Sequence, residues 1–278
     1  MAHSAFLSLP RELRDSIFEY ALTEDDHVAV RRPLVSEHQR KPLPVASNDR
    51  WDWSVHYPQQ AVSIAYLNLM LCNRQLRHEM CDYLDRARKQ GCFTAKVTLH
   101  MGYPSVTPTW TNIPARPSDI STLEILLKID HMYHPAYISR GMQTATIAAV
   151  FEILRRYIHR GPHLARPSAL PHPLHLDTVR ITIAPPVPFA AMTHIYGFPE
   201  QQLETLFNDF RGLLVRLGRS GIPFGYIEAF DVRMEGREWD WIPVTSNIWD
   251  EEDFVLFQYA GYKWDEDAMA FRPDQIPW

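Results

Sequence analysis

Glycine, cysteine and long apolar runs are scarce in this sequence of 278 residues. It contains 11 glycines and three cysteines, and no apolar run reaches the roughly 20 residues that a membrane-spanning helix needs. Gly-x-Ser-x-Gly, Walker and Gly-x-Gly-x-x-Gly motifs are all missing. The sequence therefore argues against a membrane protein and against the common nucleophile-elbow and phosphate-loop enzymes.

The three cysteines predict neither a disulfide framework nor a metal knuckle. Cys72, Cys81 and Cys92 are widely spaced, and no Cys-x-x-Cys pair occurs, so reduced thiols are the simplest interpretation. The first residues lack the charged and apolar regions of a signal peptide, and no Asn-x-Ser/Thr glycosylation site is present. We therefore expect a cytoplasmic or nuclear protein without a membrane partner.

The overall composition is that of a folded protein without a strong charge bias. Hydrophobic residues make up 46% of the chain and aromatic residues 12%, which is more than a disordered chain carries. The 28 basic and 33 acidic residues give a net charge of −5. Because this charge provides no general attraction to phosphate backbones, nucleic acid is not an expected partner.

The clearest local pattern is an amphipathic helix over residues 7–22. Ser8 can cap such a helix, and Pro10 suits its first turn because the missing N–H costs nothing there. Apolar residues recur at spacings of three and four, and they are Leu9, Leu13, Ile17, Tyr20 and Ala21. Charged residues occupy most of the other side. The spacing predicts one apolar face, which either packs on its own domain or docks on another protein.

Two segments resemble a known family. Residues 9–22 read LPRELRDSIFEYAL and residues 69–79 read LMLCNRQLRHE. The first resembles the opening of the F-box, particularly as written in the large set of F-box-like proteins of filamentous fungi. The second is similar to the later leucine-rich Arg-Gln-Ile/Leu-Arg-x-Glu helix of those proteins. The resemblance covers the first third of the chain.

The resemblance implies an adaptor function. Its N-terminal helices would dock on the linker subunit of a cullin-type ubiquitin ligase, and the rest of the chain would bind a protein target. The positions that match the docking residues of the family are Leu9, Pro10, Leu13, Ile17, Phe18, Leu69, Leu71 and Leu76. No solenoid or propeller repeat follows, so target recognition would belong to the remaining domain.

The chain divides into a helical region at residues 1–90 and an α+β domain at residues 91–278. A second helix is predicted over residues 63–89, with a stripe that includes Leu69, Leu76 and Met80. Between the two helices, residues 23–62 form a long excursion without lasting periodicity. It is open to three interpretations: a functional loop, a disordered segment or an unrecognised strand pair.

The α+β domain reads as a mixed β-sheet covered by two amphipathic helices. Strands are predicted at residues 93–101, 123–129 and 176–183, helices at 143–159 and 200–217, and a hairpin at 226–242. Four prolines within residues 102–118 predict irregular structure there, with Trp110 on an extended loop. The alternation of strands and helices predicts right-handed crossovers.

A rival interpretation is an enzyme or small-molecule-binding domain. Its candidate pocket residues, which combine acid, base and hydrogen-bond donors, are Trp110, Asp130, His131, Tyr133 and His134. A second pair of histidines is His172 and His175. Neither histidine cluster has a helical His-Glu-x-x-His arrangement or a complete ligand set. We therefore predict no bound metal and no cofactor.

The last residues are both acidic and aromatic. Residues 250–253 and 265–267 are all acidic, and tryptophan, phenylalanine and tyrosine are interspersed among them. The many aromatic residues argue against a free acidic tail and favour a terminal helix and coil that packs on the sheet domain. A site for a basic partner is the alternative.

Overall fold

The chain folds into a group of N-terminal helices and one large mixed sheet. The structure is a computed structural model, and the residues that it describes are 5–23, 40–44, 54–58, 65–91, 93–102, 105–129, 140–164, 170–184 and 200–246. Within these ranges no helix is both long and apolar enough to cross a membrane.

Within the described residues, the helices fall into an N-terminal group of three and a C-terminal pair. The first group is α1 (Arg11–Thr23), α2 (Ala65–Cys72) and α3 (Arg74–Lys89), and the pair is α4 (Arg140–Arg160) and α5 (Glu200–Arg219). Short 3₁₀ turns occur at Ala5–Ser8 and Pro117–Asp119. The predicted helices over residues 143–159 and 200–217 are confirmed as α4 and α5.

In the part of the chain that the structure describes, eight strands form the sheet. They are β1 (Arg40–Pro44), β2 (Ser54–Pro58), β3 (Thr94–Gly102), β4 (Ser105–Asn112), β5 (Thr122–Ile129), β6 (Leu176–Ala184), β7 (Ile227–Met234) and β8 (Asp240–Pro243). Their order across the sheet is β1-β2-β4-β3-β5-β6-β7-β8. Strands β3, β5, β6 and β7 are parallel, and antiparallel pairs close both ends. The predicted α+β class with a mixed sheet is confirmed.

Alternation along the central strands separates an apolar face from a polar face. Val97, Ile125, Ile181 and Val232 are register neighbours on four strands, and each is at most 1% exposed. They belong to one hydrophobic cluster with buried residues of both helices, such as Leu154 of α4 and Phe210, Leu214 and Leu217 of α5. The two helices therefore cover this face, as their apolar stripes predict.

The polar face carries charges of alternating sign across the same strands. Lys96, Glu124, Arg180 and Asp231 are register neighbours, one residue before the apolar row. Successive side chains of a strand point to opposite faces, so these four share the other face. Arg180 Nε lies 3.3 Å from the Asp231 carboxylate. Opposite charges on neighbouring strands stabilise the register and make this face compatible with water.

The prediction of irregular structure within residues 102–118 is wrong for residues 105–112, which form a strand. Strand β4 runs through Pro108 and includes Trp110, and it pairs with β3 from Lys96 to Gly102. On its other side the described pairing to β2 involves only Ser105 and Val106. A proline is tolerated in a strand where its missing N–H does not interrupt a ladder, and this is why the proline count misleads here.

The single helix predicted over residues 63–89 is in fact two. Asn73 interrupts it with an extended backbone (φ −165°, ψ 153°), and its side chain accepts hydrogen bonds from the N–H groups of Gln75 and Leu76. This is an N-cap, which starts α3 as a separate helix. The excursion at residues 23–62 contains the antiparallel pair β1–β2, so the strand-pair interpretation is the one that holds for its described part.

The end of α5 approaches β8 so closely that one position requires glycine. A Cβ atom at Gly218 would lie 2.9 Å from the Pro243 carbonyl oxygen and 3.4 Å from Ile242 Cγ2. Gly212, in the same helix, has nothing within 4 Å of such an atom. The two glycines therefore differ in packing and share the same secondary structure.

We expect opposite effects of alanine at the two positions. Gly212→Ala should raise the free energy of unfolding by about 0.5–1 kcal/mol, because alanine is the better helix former. Gly218→Ala should lower it by about 1–3 kcal/mol, because the backbone of residue 243 must move. Denaturant titration of both variants is the measurement. Equal stabilisation by the two changes would contradict the close approach of α5 and β8.

Candidate docking surface

The N-terminal helices share a small hydrophobic cluster of their own. Phe18 and Leu22 of α1 and Met80 of α3 are each at most 1% exposed. Partly buried apolar residues surround them, and these are Phe6, Leu69, Met70, Leu76, Tyr83 and Leu84. The Phe18 ring lies between those of Phe6 and Tyr83, at centroid distances of 5.9 and 6.1 Å. The cluster fixes which side of α1 faces inward.

An ion pair between α1 and α3 accompanies this cluster. Arg14 Nε and Nη2 donate to the two Glu79 carboxylate oxygens at 2.7 and 2.8 Å. Both residues are buried, at 8% and 5% exposure. Arg14 Nη1 also donates to the carbonyl oxygens of Leu7 and Leu9. One guanidinium therefore joins the start of the chain, α1 and α3 through charge-assisted hydrogen bonds.

Further polar contacts surround the ion pair. Gln75 Nε2 donates to Glu79 at 2.9 Å, and Arg11 Nη2 donates to the Glu79 carbonyl oxygen at 3.2 Å. Asp15 accepts from Arg11 Nε at 2.9 Å and from Arg86 Nη2 at 2.6 Å. The hydrogen bonds from Arg14 and Gln75 and the charges of Arg14 and Arg11 stabilise the ionised Glu79 carboxylate, and the Arg14 hydrogen bonds contribute most. They lower the pKa of Glu79 below its usual range.

Because Arg14, Phe18 and Leu22 face inward, the apolar stripe of α1 faces outward. Leu13, Ile17 and Tyr20 are 52%, 41% and 63% exposed, and their spacing of four and three residues places them on one helix face. On α2, Leu67 is 42% and Leu71 83% exposed. We refer to these five exposed residues, on two helices that contact each other, as the outward face. Their exposure makes it a candidate interaction surface.

The predicted docking residues are divided between this outward face and the interior. Leu13, Ile17 and Leu71 lie on the face, Pro10 is exposed, and Leu9, Leu69 and Leu76 are half-buried. Phe18 is 1% exposed and belongs to the cluster beneath. This placement removes Phe18 from the candidate surface, because the family resemblance that selected it does not show which way α1 is turned.

Two members of the outward face are absent from the family-based set of docking residues. Tyr20 belongs to the apolar stripe of α1, three residues beyond Ile17, so its periodicity already indicated it. Leu67 precedes Leu71 by one helical turn in α2, and the same spacing could have indicated it. Both were missed because the family comparison, rather than the spacing, selected the residues.

Of the residues predicted to form the rival pocket, only Trp110 lies in the described part of the chain. Its indole N–H donates to the Pro162 carbonyl oxygen at 2.9 Å, and its ring centroid lies 5.4 Å from that of Tyr157. Trp110 therefore fastens β4 to the end of α4. Asp130, His131, Tyr133 and His134 lie outside the described residues, so the pocket hypothesis stays a prediction.

A buried polar group lies where β2 packs on α4. Arg156 and Glu152 form a buried ion pair, and the Arg156 guanidinium lies 4.9 Å from the Tyr57 ring centroid. Burial raises the pKa of the Tyr57 hydroxyl, as does the charge of Glu152. A tyrosine that stays protonated at neutral pH is a poor general base. The arrangement fits a structural role.

The histidine pair is exposed. His172 lies at the surface, and His175 lies near Asp177 and Glu228, each 3.9 Å away. These three side chains are the potential metal ligands that the described residues bring together, and all three are exposed. The two carboxylates approach different ring nitrogens of His175. Such an arrangement fits surface ion pairing better than chelation of one ion.

No protein-family model, curated protein or solved structure matches the chain. The F-box-like resemblance therefore depends on the motif residues alone. Of the three cysteines, Cys72 and Cys81 are described, and the structure places neither of these two in a disulfide bond.

We expect that removing one partner of the buried ion pair is worse than removing both. Arg14→Met or Glu79→Met leaves a buried charge without its partner and should cost roughly 2–5 kcal/mol of unfolding free energy. The double variant Arg14→Met/Glu79→Met should recover a large part of that loss. Denaturant titration of the four proteins gives the coupling free energy. Additive losses would show that the pair does not couple α1 to α3.

The low pKa of Glu79 also predicts acid sensitivity. The ionised Glu79 carboxylate is more stable in the folded state than in the unfolded state. Its contribution to the free energy of unfolding is therefore complete above the pKa of the unfolded state, about 4.3. It is lost as the pH falls through the lower pKa of the folded state. The stability difference between the wild type and Glu79→Gln should therefore shrink below about pH 4.5. Thermal unfolding between pH 3 and 7 measures it, and a constant difference would contradict the assignment.

Proposed function

We propose that the protein is an F-box-like adaptor that docks through its N-terminal helices on the linker subunit of a cullin-type ubiquitin ligase. Its α+β body binds a protein target. The observation that carries the proposal is the outward face, in which the motif residues Leu13 and Ile17 lie exposed while buried residues of α1 hold the helix in place.

The geometry of the face favours a protein partner with an apolar groove. Leu13, Ile17 and Tyr20 follow the i, i+4, i+7 spacing by which a helix places its apolar side chains in such a groove. Glu12 and Glu19 are exposed beside them. Their negative charge disfavours an anionic lipid surface, which requires a basic rather than an acidic flank.

The energetics require α2 as well as α1. Complete burial of Leu13, Ile17 and Tyr20 would supply at most about 5–9 kcal/mol, at roughly 1.5–3 kcal/mol for each large apolar side chain. Association costs about 4–15 kcal/mol of lost freedom. Three side chains alone therefore leave little net affinity. Leu67 and Leu71, on the helix that contacts α1, supply the additional apolar area.

We expect the double variant Leu13→Asp/Ile17→Asp to lose the linker subunit. Two carboxylates on the docking face remain hydrated in the free protein and would be desolvated in the complex. Affinity should fall at least 100-fold, and circular dichroism and the unfolding transition should stay close to those of the wild type. Titration calorimetry with the purified linker subunit measures the affinity.

The control is Phe224→Asp, which places one carboxylate on an exposed apolar residue of the sheet domain. Phe224 is 46% exposed, a fraction similar to the 41% of Ile17. This variant should bind as the wild type does. Absence of binding by the wild type, or unfolding of the double variant, would refute the adaptor proposal and favour an α1 whose stripe is part of the core.

A further inference from the structure

A groove lies at the end of the sheet that is opposite to β1, between α5 and β8. It has a volume of about 530 Å³ and is lined by Arg211, Val215, Arg219, Asp240, Trp241, Ile242, Pro243 and Thr245. Trp241 is 62% exposed. The volume is within the roughly 300–1,000 Å³ of typical binding sites, and an exposed tryptophan beside aliphatic walls favours an aromatic occupant.

The charges of the groove are mainly positive. Arg211 forms an ion pair with Asp240. Arg219, in the last turn of α5, has no ion pair with any described residue. The Thr245 hydroxyl also lacks a hydrogen-bond partner in the described part of the chain. The groove therefore offers an apolar wall and a cation, which together fit an aromatic segment that carries acidic residues.

The chain continues from the groove into a segment of that composition. Residues 247–278 contain eight acidic and two basic residues, a net charge of −6. The preceding 246 residues, with 26 basic and 25 acidic, carry a net charge of +1. The first part of this C-terminal segment reads Trp249-Asp250-Glu251-Glu252-Asp253-Phe254. Negative charge, which is complementary to Arg219, is thus concentrated in the residues that follow the groove in the sequence.

The link between Thr245 and Trp249 is short enough to keep Trp249 near the groove. Thr245 lines the groove, and its backbone N–H donates to the Gly218 carbonyl oxygen at 2.8 Å. Trp249 follows four residues later, and four residues span at most about 14 Å. A tethered segment of this kind has an effective concentration in the millimolar range, so a weak contact is enough to hold it.

We propose that residues 249–254 of the same chain bind in the groove between α5 and β8. Trp249 packs against Trp241 and Val215, and the acidic residues that follow pair with Arg219 at the mouth of the groove. The C-terminal segment then covers the exposed tryptophan and closes this end of the sheet. The contact is independent of the adaptor function, because it involves none of the docking residues.

Hydrogen–deuterium exchange of the full-length protein tests this proposal, since it reads protection of each peptide separately. In the wild type, peptides from residues 247–258 should exchange at least tenfold more slowly than an unstructured chain. Arg219→Glu should remove most of this protection by repelling the acidic residues. A second change, Glu251→Arg/Glu252→Arg, should restore part of it in the Arg219→Glu background.

Lys89→Glu is the matched control. Lys89 is an exposed cation in the last turn of α3, so its reversal has the same unfavourable interaction with a helix dipole. It should leave the protection of residues 247–258 unchanged. Peptides from β6, which is central in the sheet, report whether each variant remains folded.

Two results would overturn the proposal. Exchange of residues 247–258 at unstructured rates in the wild type would show that the groove does not hold them. Protection that persists in both Arg219→Glu and Trp241→Ala would show that they pack elsewhere. Exchange is measured at several protein concentrations, because protection that appears only as the protein dimerises would assign the segment to the groove of a second copy and refute binding within one chain.

Discussion

The buried ion pair between Arg14 and Glu79 is the constraint on which the N-terminal part of the structure depends. A helix with an apolar stripe normally buries that stripe. In α1 the arginine is buried instead, and its bidentate contact fixes the rotation of the helix about its axis. Phe18 and Leu22 follow Arg14 at four-residue spacing into the same interior. The outward position of Leu13 and Ile17 is a consequence of this rotation.

This helical region is not independent of the sheet. Tyr83 and Leu84 of α3 contact both the small cluster and the large core, and Ala87 belongs to the large core itself. Asn112, at the end of β4, donates through its side chain to the Leu22 carbonyl oxygen at 2.6 Å. The end of α1 is therefore anchored to the sheet, and the face that it presents has a fixed orientation relative to the α+β body.

The elements that were predicted well from the sequence are those whose hydrophobic pattern follows from the burial of one face. The strands β3, β5, β6 and β7 and the helices α4 and α5 each bury a face that their periodicity shows. The rotation of α1 could not be predicted, because it depends on Glu79, 65 residues away. The prolines of β4 led to a wrong prediction, because the effect of a proline in a strand depends on how the neighbouring strand pairs with it. Asn73 was not predicted as an N-cap, because its sequence position alone does not show its extended backbone.

The two candidate surfaces differ in the charge that surrounds an apolar centre. Acidic residues flank Leu13 and Ile17, whereas arginines line the groove beside Trp241. Apolar contact supplies most of the affinity at such surfaces and discriminates little between partners, so the surrounding charges decide which partner is rejected. In the proposed arrangement, the acidic C-terminal segment would be repelled by Glu12 and Glu19 and attracted by Arg219. With residues 1–246 close to neutral overall, this local difference, rather than net charge, would direct the segment to the groove and leave the outward face of α1 available to the proposed protein partner.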